Sequence, residues 1–118
     1  MEELNFDHQL CTFYLEKHLW ELVNEEANKI AREYRAKLKK ENPTFSKTKL
    51  NKMRDDMKNA FKEEMGEYIE LFMAFKEQQT WNKAKNYIEM LKREIINFPD
   101  FLQKYINNNF MPIYKKIH

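Results

Sequence analysis

The chain has 118 residues, of which 42% are hydrophobic and 34% charged, with 21 Lys and Arg against 19 Asp and Glu for a formal net charge of +2. This length suits one domain over 1–118 with a real core, and charges interrupt the apolar stretches too often for any of them to cross a bilayer. No membrane partner is expected, and the acidic opening MEELNFD is unlike the basic and then apolar start of a secretory leader, so a cytoplasmic location is expected.

One glycine and three prolines leave few of the turns that sheets require, so helices must dominate. From about Asp7 to about Lys40 neither residue occurs. There Val23, Ala27, Ile30, Tyr34 and Leu38 recur at steps of three or four, which reads as one long helix. Asn42 and Pro43 stop it, because proline lacks an amide hydrogen and disfavours helical geometry in the residue before it. A second helix is expected after Ser46 or Thr48, either of which can accept a hydrogen bond from a first-turn amide. Its stripe is Leu50, Met53, Met57, Phe61, Met65, Tyr68, Phe72 and Phe75, weakened only by Gly66 at roughly 1 kcal/mol relative to alanine. A third helix follows Thr80, with Trp81, Ala84, Tyr87 or Ile88, Leu91 and Ile95 on one face, and ends before Pro99. Pro99 opens a fourth, lined by Phe101, Leu102, Tyr105 and Ile106. The run Asn107, Asn108, Asn109 is expected to end it, with Pro112 preventing simple continuation.

The apolar arc of the first helix is broad early, through Leu10, Phe13, Tyr14, Leu15, Leu19, Trp20, Leu22 and Val23, and narrow later. The second helix does the reverse, broadening at Ile69, Leu71 and Met73. A short loop makes the pair antiparallel, so the broad ends coincide and need cover from the later helices. The expected fold is therefore all-α: a long antiparallel helical hairpin packed at its base by two shorter helices, four-helix bundle-like, with a thinner tip carrying the loop from Glu41 to Thr48. The competing arrangement is a four-helix bundle of even thickness. Trp20, Leu22, Phe72 and Tyr87 are expected in the core.

Charge is segregated along the chain. Up to Asn28 the acids Glu2, Glu3, Asp7, Glu16, Glu21, Glu25 and Glu26 oppose Lys17 alone, whereas from Lys29 to Lys58 bases dominate. Helix dipoles favour acids at an N-terminus and bases at a C-terminus. The second helix violates this at both ends, with Lys47, Lys49, Lys52 and Arg54 early and Glu63, Glu64, Glu67 and Glu70 late. Helix stability therefore does not explain the pattern. Arg35, Lys37, Lys39, Lys40, Lys47, Lys49, Lys52 and Arg54 form a candidate surface for phosphates or an acidic partner, set against the bland reading of a solvated charged face. Only Phe45 and Tyr34 could stack on bases near this tip, so base readout is not supported.

Chemistry-bearing constellations are weak. His18 and Glu21 lie three apart, and Glu63, Glu67 and Glu70 share a face, but carboxylate-bridged bundle sites use Glu-x-x-His on two helices plus two further glutamates. No metal or other cofactor is expected. Cys11 and His18 are separated by two turns, about 10 Å along the axis, too far for a nucleophile and base pair. Cys11, among Leu10, Phe13 and Leu15, reads as a small buried hydrophobe; His8 and His118 carry no signal. Without a phosphate-binding glycine loop or a nucleophile elbow, no enzyme is expected. The C-terminal aromatics Phe101, Tyr105, Phe110 and Tyr114 either fold back to complete the core or present a contact surface for a partner. The functional expectation is a non-enzymatic helical interaction protein, a subunit or accessory factor binding a protein partner. The alternative is sequence-independent nucleic-acid binding through phosphate contacts at the basic tip. The charge segregation also fits an antiparallel homodimer in which opposite charges meet at both ends.

Overall fold

The computed structural model describes residues 12–117, and the regular elements in that range are all helical. Helix α1 spans Thr12–Glu41, α2 Lys47–Met73, α3 Trp81–Glu94, α4 Asp100–Tyr105 and α5 Met111–Ile117. Single 3-10 turns at Ala74–Glu77 and Ile95–Asn97 follow α2 and α3, and a π turn over Ile106–Phe110 joins α4 to α5. The expected start of the first helix near Asp7, and the readings of His8, Leu10, Cys11 and His118, lie outside the described residues.

The helix boundaries follow local chemistry. The Asn42 amide donates to the Leu38 carbonyl at 2.8 Å, and its side-chain Nδ2 donates to the same oxygen at 3.2 Å, closing α1 just before Pro43. Ser46 rather than Thr48 caps α2: its Oγ accepts from the Lys49 amide at 3.1 Å. Thr80 caps α3 in the same way, accepting from the Lys83 amide at 3.2 Å from an extended backbone. Gly66 leaves α2 unbroken.

The C-terminal segment departs from expectation. The helix does not end at Asn107, Asn108 and Asn109; it widens into a π turn in which the Met111 amide donates to the Ile106 carbonyl five residues back. Two physical reasons converge. Pro112 offers no amide to the Asn108 carbonyl and its ring crowds that group, so a wider turn just ahead of it relieves the clash. The buried residues Leu102, Ile106, Phe110 and Tyr114 also recur at steps of four. In an α-helix each such step over-rotates by about 40°, and the π turn restores the row to one face. Asn109, expected as a stop signal, donates its side-chain amide to the Tyr105 carbonyl at 3.0 Å.

By internal contact the chain divides into two compact units. The first is a hairpin, Glu21–Glu67, holding the later part of α1 and the earlier part of α2. Its buried apolar residues are Val23, Ala27, Ala31, Leu50 and Met65, while Ile30, Tyr34, Leu38, Met53, Met57 and Phe61 of the expected stripes are half-buried. Two helices alone can cover only their facing stripe, and alanines at that stripe let the backbones approach. The Arg35 Nε donates to Asn51 Oδ1 at 2.8 Å across the seam, fixing the antiparallel register.

The second unit combines the described residues up to Trp20 with those from Tyr68 onward. Here the broad arcs are covered in part: Leu15, Leu19, Ile69, Phe72, Met73 and Phe75 are buried together with Ala84, Ile88, Leu91 and Ile95 of α3 and with Phe98, Leu102, Ile106, Phe110, Met111 and Tyr114. Phe72, Phe75 and Phe110 pack as a three-ring cluster, with centroids 4.9 to 5.6 Å apart. Each such ring contributes roughly 1.5–3 kcal/mol on leaving water, plus about 0.5–1.5 kcal/mol per favourable ring pair.

Phe72 is fully buried as expected, but Trp20, Leu22 and Tyr87 are only half-buried. Trp20 and Leu22 sit on either edge of the α1 arc centred on Leu19 and Val23, where cover runs out. The Tyr87 hydroxyl donates to the Leu71 carbonyl in the last turn of α2, which holds the ring at the edge; Ile88 takes the buried place. Phe13, Tyr14 and Leu71, counted in the broad arcs, are exposed.

Candidate functional site

Among the described residues, each unit carries a surface that could bind something. On the hairpin, the eight bases singled out from the sequence separate by what they touch. Arg35 is half-buried and committed to Asn51. Lys49 lies over the Phe45 ring, 3.9 Å from its centroid, which withdraws that aromatic face from any base. Lys52 pairs with Asp56 at 3.6 Å and Arg54 with Asp55 at 3.0 Å. Both pairs are solvent-facing and worth little in stability. Lys37, Lys39, Lys40 and Lys47 are exposed and make no ion pair among the described residues.

The seam of the hairpin sets Arg54 beside Arg32 and Lys58, two cations that the charge pattern includes but does not single out. Asn28, Ala31 and Arg32 of α1 and Arg54, Asp55 and Lys58 of α2 line one shallow groove. Ala31 is buried and short, so the groove has a floor with no side chain to fill it. Arg54 and Lys58 are half-buried or at the rim, and Asp55 holds the Arg54 guanidinium through Nε. Three cations against one carboxylate leave the groove positive. The helical spacing carried the signal: Lys29, Arg32, Arg35 and Lys39 recur at steps of three and four on α1, and Arg54, Lys58 and Lys62 at steps of four on α2. Such stripes put the charges on one face of each helix. What the spacing could not reveal is that the two faces border the same seam.

On the multi-helix unit, four rings form a contiguous surface ridge. Phe13 and Tyr14 meet edge to face at 5.3 Å, Tyr14 and His18 lie 6.4 Å apart, and His18 and Tyr105 6.5 Å apart. The His18 Nδ1 is 3.2 Å from the Tyr105 hydroxyl, with the donor set by the imidazole tautomer. Phe13 is 70% and Tyr14 52% exposed, values at which an aromatic side chain leaves most of its surface in water. The Lys17 Nζ stands 5.9 Å from the Tyr14 ring centroid.

The four C-terminal aromatics proposed as a contact surface do not share one fate. Phe110 and Tyr114 are core residues, each 1% exposed, which removes them from a contact surface and agrees with the alternative in which this segment folds back to complete the core. The cause is the π turn, which brings both onto the face of Leu102 and Ile106. Phe101 and Tyr105 are half-buried, and Tyr105 alone joins the ridge. The Tyr114 hydroxyl donates to Glu89 Oε2 at 2.9 Å, and Lys92 donates to the same oxygen at 2.9 Å. Burial, and then the adjoining Glu89 carboxylate, push the Tyr114 phenol well above its ordinary range; burial alone raises Tyr87.

Among the described residues no group of three His, Cys, Asp or Glu side chains converges as a metal site would require, and no helix is long and apolar enough to cross a membrane. Comparison with known protein families, with curated proteins and with solved structures finds no match.

Proposed function

We propose that this chain is a non-enzymatic helical interaction protein, a subunit or accessory factor that engages a protein partner through its multi-helix unit. The observation carrying this reading is the surface ridge of exposed Phe13, Tyr14 and His18 and half-buried Tyr105. Aromatic side chains bury much area at little cost in side-chain freedom, which makes them common anchors of interface cores. A cytoplasmic setting accompanies the proposal; one cysteine in 118 residues suits a reducing compartment.

The test is site-specific photocrosslinking in the native cell with p-benzoylphenylalanine in place of Phe13, against the same group in place of exposed Lys83 on α3. A discrete adduct from position 13 and none from position 83 is expected. Equal labelling from both positions, or none from either, overturns the reading. An adduct with a second copy of the chain makes the partner the protein itself, as an isologous homodimer.

A second reading is association with nucleic acid through phosphates at the basic hairpin, favoured by the exposed Lys37, Lys39, Lys40 and Lys47. Charges so placed neutralise a phosphate backbone without reading bases. Electrophoretic mobility shifts at low and moderate salt check it, and the absence of any shift at low salt removes it.

A further inference from the structure

We propose that the hairpin seam at Asn28, Arg32, Arg54 and Lys58 seats a phosphate of a nucleic-acid backbone, with the neighbouring lysines holding adjacent phosphates of the same strand. The inference rests on the nucleic-acid reading above and adds a defined site to it. Its foundation is the groove over Ala31, where two arginines and a lysine from α1 and α2 line one concavity.

The chemistry of the groove suits a phosphodiester. Guanidinium groups offer planar, paired donors that match two oxygens of one phosphate, and the lysine adds a compact charge. Arg54 is already oriented by Asp55 through Nε at 3.0 Å, which limits the freedom it loses on binding. The Asn28 side chain adds a neutral polar group at the rim. The floor is the buried Ala31, whose short side chain leaves the concavity above it open.

Spacing favours a polymer over an isolated anion. Along α1, Lys29, Arg32, Arg35 and Lys39 follow one another at steps of three or four residues, a rise of roughly 4.5–6 Å each. That is of the order of the spacing between successive charges on one nucleic-acid strand, about 3.4 Å along the axis of a duplex and longer where the strand is extended. A protein partner fits the seam poorly. Interface cores are apolar and depleted in charge, and the groove lining offers Ala31 as its sole apolar residue. Of the two aromatic rings near the tip, Phe45 is covered by Lys49 and Tyr34 is half-buried in the hairpin stripe, so binding should be indifferent to sequence.

The experiment measures binding of the full chain to fluorescein-labelled oligothymidylate and to a mixed-sequence duplex, by anisotropy across a salt series. Three proteins are compared with the wild type: the seam variant Arg32→Gln, Arg54→Gln, Lys58→Gln; the rim variant Asn28→Asp, which keeps every cation but sets a carboxylate in the groove; and the tip variant Lys37→Gln, Lys39→Gln, Lys40→Gln, Lys47→Gln. The wild type should bind both probes with a steep salt dependence and little sequence preference. The seam variant should bind about tenfold or more weakly and flatten the slope of log K against log salt by about one for each phosphate it no longer neutralises. Asn28→Asp should weaken binding severalfold with an unchanged helical spectrum, which keeps the site testable should the triple variant misfold. If the tip variant fails to bind while the seam and rim variants bind like the wild type, the seam site is wrong and the broader nucleic-acid reading stands. If the wild type binds neither probe at low salt, both are wrong.

Discussion

The two units are built from the same two long helices yet hold together differently. In the hairpin unit the buried residues are Val23, Ala27, Ala31, Leu50 and Met65; in the multi-helix unit they include Phe72, Phe75, Phe110, Tyr114, Leu19, Ile88, Leu91, Leu102 and Ile106. Two helices have one shared seam, so most of each circumference stays wet and small side chains serve best at the contact. Added helices cover the rest of the circumference, and large rings can then be enclosed on all sides. The same difference divides the charges. Long basic side chains can flank a thin seam with their stems against it and their heads in water, whereas a thick core leaves charge only at its rim. Large buried side chains are concentrated in one unit, and basic side chains are denser along the other.

The largest expected effect tests where stability lies. Replacing Phe72 by alanine removes a fully buried ring that packs on both Phe75 and Phe110 and should cost about 3–5 kcal/mol, a large share of a small domain's stability. Chemical denaturation measures it, and an unchanged transition would refute the placement of α2.

Leu50→Ala in the hairpin should cost less, about 2 kcal/mol, at the low end for such a change because a two-helix seam can partly collapse around the gap. Hydrogen exchange sharpens the contrast. Amides of Glu21–Glu67 should become less protected in this variant while those of α3 keep theirs, and equal reductions in both regions would break the distinction between the units.

Tyr114→Phe should cost about 1.5 kcal/mol by removing a hydrogen bond to a carboxylate. It also carries a pH signature. The folded phenol titrates above its ordinary value of 10.0, so the folded state holds the proton more tightly than the unfolded chain. That contribution is fully present below about pH 10 and disappears as pH rises beyond it. The wild type should therefore lose stability in alkali more steeply than the Tyr114→Phe variant, as followed by melting temperature; parallel curves would contradict the assignment. Smallest of these effects, Ser46→Ala and Thr80→Ala should each cost about 1 kcal/mol by removing a helix cap, one in each unit. Thermal melts of the two variants check this, and transitions matching the wild type would show that the caps do not contribute.

Much of the fold was legible residue by residue. Periodicity and breakers mark α1, α2 and α3, because a cap such as Thr80 or a stop such as Asn42 with Pro43 acts within one turn and needs no distant partner. The C-terminus was misread for the complementary reason. Asn107 to Asn109 and Pro112 look like terminators taken singly, but the helix persists because burying Ile106, Phe110 and Tyr114 on one face outweighs the local preference, and a π turn reconciles the two. For the candidate sites, the sequence pointed to a basic hairpin and to the C-terminal aromatics as residues requiring an explanation.

By itself, the sequence determined the all-α class, the two long helices with their loop, and the segregation of charge, since these follow from composition, from spacing on a helix and from the chemistry of caps and prolines. Only the tertiary structure decided that Arg32, Arg54 and Lys58 share one groove, that Phe110 and Tyr114 are core, and that Phe13 and Tyr14 are exposed. Whether two faces meet depends on the register between helices, set here by pairings such as Arg35 with Asn51. Whether a broad apolar arc is covered depends on where the later helices reach. Neither quantity is written in the periodicity of any one segment.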